Sequence, residues 1–388
     1  MSRCPVAADT GSRAVLSTAR RIVVKVGSNV VIRTDGSPAL SRLFALMETL
    51  CACRKAGTEV LLVSSGAVGL GAQALGLKRR PTELDLKQAC AAVGQGRLMA
   101  LYQDGFARLG VEAAQVLLTE DDFADRRRYL NLRATLERLL ALGAIPVINE
   151  NDTVSTLELE SREPGRPWAR PVFGDNDKLS ALVASKMDAD LLVILSDVDG
   201  LYTANPQTHP DAELITEVQA ITPDIEALAS GAGSRGRGGM ATKLAAARIA
   251  TGSGAWTVIA GGAVPNVLER VLAGEATGTL FHAGPRLKGK RRWIAFASSP
   301  RGRITVNDGA KAAIQDREAS LLTAGVVALE GDFAAEDVVS IADESGHEFA
   351  RGVATLGRAE AEHLSGAAGR GRALVHRDTL VRLDEERP

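Results

Sequence analysis

Between residues 21 and 261 the chain carries six short apolar runs that are almost unbroken by polar residues: RIVVKVG, EVLLVSS, VEAAQVLLT, AIPVINE, DLLVILSD and AWTVIAG. Aliphatic and β-branched runs of this length fit strands, and the lack of alternation means that both faces of each strand are covered. The intervening stretches have a helical period instead. SRLFALMETLCACRKAG sets Leu43, Phe44, Met47, Leu50 and Cys51 along one side and stops at Gly57, while RRYLNLRATLERLLALG repeats the design and stops at Gly143. Strands that alternate with such helices predict a mostly parallel sheet with helices on both faces, a three-layer αβα sandwich spanning residues 21–283.

After GTLFHAG the pattern changes. PRLKGKRR is basic and turn-forming, which marks a linker over residues 284–292. Beyond it RWIAFAS, GRITVND, GVVALEGDF, DVVSIADESGHEFARGVATL and ALVHRDTLVRL read as short strands, with Ser345-Gly346 as a hairpin turn. A small β-rich domain is therefore expected over residues 293–380.

The first 20 residues lack the apolar stretch of a secretory signal and read as a disordered leader rather than a transit peptide. The longest uncharged run, residues 60–77, holds serines, a glutamine and glycines and is too weak for a membrane span. Four cysteines occur without C-x-x-C or zinc spacing, which suits a reduced compartment and makes the cytoplasm the expected location. A net charge of −1 supplies no general field for nucleic acid or an anionic membrane, so small-molecule chemistry is favoured.

Two phosphate signatures are near misses. GPRLKGKR has the spacing of a P-loop, but Arg291 stands where a magnesium-binding Ser or Thr belongs and no strand precedes it. GAGSRG fits G-x-G-x-x-G but follows a helical stretch, with no acidic residue about 20 positions on. Other glycine turns are better placed. VVKVGSN ends a strand at Lys25 before Gly27, and LVSSGAVGLG ends one at Ser65-Gly66 before a helix, where either serine capping or anion binding would use the same free amides.

GRGGMATKLAAARIA puts Lys243 in the first turn of a helix, where its charge opposes the helix dipole unless an anion sits there. GDNDKLSALVA offers Asp175, Asn176 and Asp177 at another helix start, more than one cap requires, and LLVILSDVDG ends a strand in Ser196-Asp197 with Asp199-Gly200 following. In an open sheet such strand ends face one crevice. Two lysines, glycine turns and a cluster of Asp and Asn at one crevice suit phosphoryl transfer. No base is conspicuous, and none is needed if the acceptor is a carboxylate, which is already ionised near neutral pH.

VVKVGSN, VSSGAVGLG, AAVGQGRL, PVINENDTVS, GDNDKLSALVA, LLVILSDVDGLYTANP and GGMATK together resemble the amino-acid kinase family and, within it, the glutamate 5-kinases; the C-terminal region resembles a PUA domain. The resemblance implies transfer of the γ-phosphoryl of ATP to the side-chain carboxylate of L-glutamate, the first step of proline synthesis. It implies that Lys25 and Lys243 clamp the phosphoryl while Asp177 orients them. It further implies that Ser65, Gly66, Asn149, Asp152 and Asn176 hold glutamate. ATP would lie on Lys25, Ser196, Asp197, Arg237, Gly238, Gly239, Met240, Ala241, Thr242 and Lys243, with Mg2+ brought in without a direct protein ligand.

A homo-oligomer, dimer or tetramer, and feedback inhibition by proline are also implied. The segment over residues 156–172 is longer than the family pattern, and Arg237 replaces a small polar residue. Two rival readings stay open: a kinase of the same fold acting on another carboxylate or a carbamate, and an RNA-associated protein using the PUA domain and the basic linker. The near-neutral charge and the kinase constellation weigh against RNA.

Overall fold

A computed structural model describes residues 11–77, 79, 81–154, 176–229, 239–285, 291, 294–295, 300–365 and 371–383. The chain divides into two compact units, the first ending at Arg286 and the second holding the residues from Leu287 onward. Residues 1–10, most of the basic linker and the 156–172 segment lie outside the described residues.

All six apolar runs form strands: β1 (Arg21–Val26), β2 (Glu59–Ser64), β3 (Ala113–Leu118), β4 (Ile145–Glu150), β5 (Leu191–Ser196) and β7 (Trp256–Gly261). With β6 (Glu217–Val218) and β8 (Thr279–Phe281) they make a sheet of order β3-β4-β2-β1-β5-β7-β8-β6, in which only the β7–β8 pair is antiparallel. The chain leaves β1 toward β2 on one side and returns to it as β5 on the other. The order reverses at β1, which is where an open α/β sheet opens a crevice at its carboxyl ends.

Helices cover both faces. One core joins the sheet to α1 (Ser28–Val31), α2 (Leu40–Lys55), α3 (Ala67–Ala74) and α4 (Leu84–Arg108) through Val30, Leu43, Leu50, Leu70 and Phe106. The other joins it to α5 (Asp121–Ala124), α6 (Arg126–Ala141) and the helices Asn176–Lys186 and Met240–Gly252 through Leu136, Leu179, Leu182, Leu244 and Ala247. Among the described residues no helix is long and apolar enough to cross a membrane, and Cys51, Cys53 and Cys90 are free thiols.

The contact between α3 and α4 is backbone against backbone. A Cβ on Gly94 would stand 1.7 Å from the carbonyl oxygen of Ala67, and one on Gly71 would stand 1.8 Å from that of Cys90. Gly94→Ala should therefore cost at least about 2 kcal/mol, because main-chain atoms cannot yield as side chains do. The check is a lower urea midpoint at an unchanged slope.

Two expectations are corrected. Residues 13–20 are not a disordered leader. A single 3-10 segment, Arg13–Thr18, buries Leu16 and Arg13. The Arg13 guanidinium donates to the carbonyls of Thr216, Glu275, Thr277 and Gly278 at 2.7–3.2 Å, so strand-edge carbonyls gain partners that composition alone did not announce. RWIAFAS is not a strand at its described positions, since Ile294 and Ala295 are helical and buried.

In the second unit β9 (Gly302–Val306), β10 (Leu321–Leu322), β11 (Val326–Gly331), β12 (Val338–Ala342), β13 (Glu348–Ala354) and β14 (Ala373–Arg382) form a sheet of order β10-β14-β13-β12-β9-β11. The β12–β13 hairpin turns where expected. Gly346, at φ 85°, donates to the Asp343 carbonyl at 2.9 Å, and the Asp343 side chain accepts from the amides of Ser345 and His347.

Candidate active site

The period of two along a strand decides where Lys25 goes. Ile22, Val24 and Val26 of β1 face the core of α2 and α4, and Val23 faces the other core, so Lys25 shares the side of Val23. That side carries the helices Asn176–Lys186 and Met240–Gly252. The Lys25 ammonium lies 2.5 Å from Asp177 Oδ1, and Lys243 places its Nζ 3.3 Å from Asp177 Oδ2.

Lys25, Asp177 and Lys243 are 5, 0 and 3% exposed. Burial pushes the Asp177 carboxyl up, but the charges and hydrogen bonds of Lys25 and Lys243 outweigh it and hold the group below the ordinary carboxylate value. The shared carboxylate holds both ammonium groups to one place, where the oxygens of an incoming phosphoryl group could meet them.

The helix Met240–Gly252 starts at Gly239, with no side chain capping it. The anion that relieves Lys243 in this first turn is Asp177, supplied by the protein itself. Thr242 Oγ1 donates to the Gly239 carbonyl at 2.8 Å and stands 3.2 Å from Asp177 Oδ2. At the end of β5, Asp197 accepts from Ser196 Oγ at 2.9 Å and from Asn29 Nδ2 at 2.8 Å.

Burial raises the Asp197 carboxyl, while the bonds from Ser196 and Asn29, together with the Lys243 charge, bring it below the ordinary value. Asp197 and Lys243 thus sense one another electrostatically. Gly27 packs closely against the end of β5: a Cβ there would stand 3.2 Å from the Leu195 carbonyl oxygen, a tight contact, and 3.8 Å from Lys25 Nζ, an ordinary one. Met240 and Ala241 occupy the first turn of the helix with Thr242 and Lys243, whereas Arg237 and Gly238 lie outside the described residues, as does Asp175.

The polar end of β4 belongs to a second cluster. Asn149 is buried, and Glu150, Asn151 and Asp152 are half-buried. Asn149 Nδ2 donates to Gln95 Oε1 at 2.8 Å, and its Oδ1 accepts from Asn176 Nδ2 at 2.8 Å. The same Asn176 amide reaches Ser65 Oγ at 2.9 Å and the Ser64 carbonyl at 3.1 Å. Asn176 and Asp177 are consecutive, so one helix start serves both clusters, the amides through Asn176 and the lysines through Asp177.

No serine caps α3. Gly66 holds the N-cap at φ 112°, and a Cβ there would press Val31 at 3.1 Å. Ser65 is taken by Asn176, and Ser64 Oγ bonds the Tyr102 hydroxyl at 2.8 Å. The first amides of α3 are left without a side-chain partner. The Tyr102 phenol, fully buried, is pushed up to about 12 by that burial against the lowering effect of Ser64, so it stays protonated. Asp152 stands on the turn after β4, three positions past Asn149, where the Val154 amide donates to the Asn151 carbonyl at 3.2 Å.

Sequence reasoning missed Gln95, Tyr102 and Asn29. For Gln95 a signal existed: Gly-Gln-Gly inside a 25-residue helix is costly by about 0.5–1 kcal/mol per glycine unless a backbone approaches closely. Nothing local marked Tyr102 or Asn29. Among the described residues no group of three or more His, Cys, Asp or Glu could hold a metal ion.

Comparison with known proteins agrees with this architecture. A model of the amino acid kinase family matches residues 20–260, and the PUA domain matches residues 302–371. The glutamate 5-kinase of Syntrophotalea carbinolica is 45% identical over 379 residues, covering 95% of this chain and 98% of its own. That of Moorella thermoacetica is 47% identical over 383 residues, covering 96% and 98%, and that of Myxococcus xanthus is 47% identical over 356 residues, covering 91% of each. With both domains matched in order and nearly the full length aligned, the chain belongs to the amino acid kinase family, in its glutamate 5-kinase group, and carries a C-terminal PUA domain.

Proposed function

We infer that this chain transfers the γ-phosphoryl group of ATP to the side-chain carboxylate of L-glutamate, giving L-glutamyl 5-phosphate, the first step of proline biosynthesis. The observation that carries the reading is the convergence of Lys25 and Lys243 on the two oxygens of one buried aspartate, beside a buried amide cluster. In the reaction a glutamate carboxylate oxygen bonds to the γ-phosphorus while the bond to the β–γ bridging oxygen breaks and ADP leaves. The acceptor is already an anion, so no proton has to be removed.

In this reading Lys25 and Lys243 lie against the equatorial and bridging oxygens and offset the charge that spreads during transfer, and Asp177 keeps both ammonium groups pointed at one place. Ser65, Gly66, Asn149, Asp152 and Asn176 hold the amino acid; Ser196, Asp197 and the turn from Gly239 to Lys243 receive ATP. Mg2+ supplies neutralisation of phosphate charge in such transfers. The residues present fit an ion carried on the nucleotide's own phosphates, because Asp177 is engaged by two lysines and Asp197 by Ser196 and Asn29.

The test is a panel of acceptors (L-glutamate, other carboxylates, carbamate and nucleoside monophosphates) with ATP and Mg2+, trapping acyl phosphate with hydroxylamine. Hydroxamate should form with L-glutamate alone or far ahead of the rest; a different preferred acceptor overturns the reading. In the same assay Asp152→Ala should raise the KM for L-glutamate by about 10-fold or more, as loss of an ion pair to the substrate ammonium would, and leave the KM for ATP within a factor of about two.

A further inference from the structure

The amide cluster has a direction, and the backbone sets it. The Ser64 carbonyl can only accept, so the Asn176 group 3.1 Å from it is the NH2. That NH2 also meets Asn149 Oδ1, which turns the Asn149 NH2 toward Gln95 and makes Gln95 Oε1 the acceptor there. Each orientation follows from the previous one. Two ends are left over, Asn176 Oδ1 as an acceptor and the Gln95 NH2 as a donor, and neither has a protein partner among the described residues. A fixed acceptor and a fixed donor on one relay complement a zwitterionic amino acid, ammonium to the former and carboxylate to the latter.

An independent feature brings uncapped backbone amides close to Gln95. Its neighbour Gly94 lies against the first turn of α3, where a Cβ would meet Ala67 O at 1.7 Å and Gly71 N at 2.6 Å. The close approach carries Gln95, half-buried, to the helix end whose amides no side chain caps. Those amides and the Gln95 NH2 are donors of the same kind, aimed at the same chemistry.

We propose that Gln95 determines acceptor specificity: its Oε1 positions Asn149, and its NH2 receives the α-carboxylate of the amino-acid substrate. The inference rests on the glutamate kinase reading and adds a residue to it.

Gln95→Glu keeps an oxygen for Asn149 but sets a negative charge where the donor was; Gln95→Leu removes both. Each variant is assayed with L-glutamate and with L-isoglutamine, which keeps the side-chain carboxylate and carries an amide in place of the α-carboxylate. Q95E should raise the KM for L-glutamate at least about 10-fold, hold the KM for ATP, and shift the kcat/KM ratio at least about 10-fold toward L-isoglutamine, the loss expected when a hydrogen bond to a charged group becomes a repulsion. A purely structural role leaves that ratio at the wild-type value, with Q95L impaired equally on both acceptors, and this result overturns the proposal. Wild-type protein that fails on L-glutamate removes the underlying reading instead, and is seen before any variant is compared.

Discussion

Lys243→Met should lower kcat by about 10²–10³-fold, the cost of removing one preorganised charge from a transfer of this type, with the KM for L-glutamate changed by no more than a factor of about three. Its Nζ sits on Asp177 Oδ2 with 3% of the residue exposed, so water does not take its place. Arginine should not rescue it. The guanidinium is wider and planar, and the buried slot beside Thr242 and Asp177 is filled by a compact ammonium. Steady-state kinetics of K243M and K243R decide the matter; activity in either within about 5-fold of wild type would remove Lys243 from the phosphoryl clamp.

Asp177→Ala should damage folding as well as turnover. Removing the carboxylate that two buried ammonium groups share breaks both of these ion pairs, a defect that costs about 3–5 kcal/mol in comparable buried pairs. Asp177→Asn keeps the shape and should fall between the two. The pH dependence follows from the depressed carboxyl. A group whose folded value lies below its unfolded one stabilises the fold fully above the ordinary 3.8 and loses that contribution as the pH falls from there through the folded value. Wild-type and D177N urea midpoints should therefore differ by a constant amount at neutral pH and converge in acid. A gap that is unchanged down to the acid limit would show that Asp177 is not held ionised by the lysines.

Much of this architecture was legible in the residues. Strands buried on both faces cannot alternate, so five of the six runs announced themselves by continuity; VEAAQVLLT instead forms the edge strand β3, in which only Leu118 is buried, because an edge strand has a neighbour on one side alone. Gly57 and Gly143 ended their helices where a left-handed residue was needed. RWIAFAS failed because a short apolar run reads alike as strand or buried helix, and only its neighbours decide. The N-terminal segment failed for a related reason. One arginine bonding carbonyls more than two hundred positions away leaves no local trace.

The chemistry divides along the same line. Local sequence determined which groups the molecule owns: lysines at a strand end and a helix start, amides and carboxylates after β4 and at Asn176-Asp177, and glycines at the turns. Tertiary structure alone decided that Lys25 and Lys243 meet on a single carboxylate and that α4 delivers Gln95 to Asn149. The physical reason is that residue type and spacing set propensity and facing within one element, whereas a hydrogen bond or ion pair a few ångströms long depends on how separate elements pack, which here means strand order reversing at β1 and two glycine-bearing helices touching backbone to backbone.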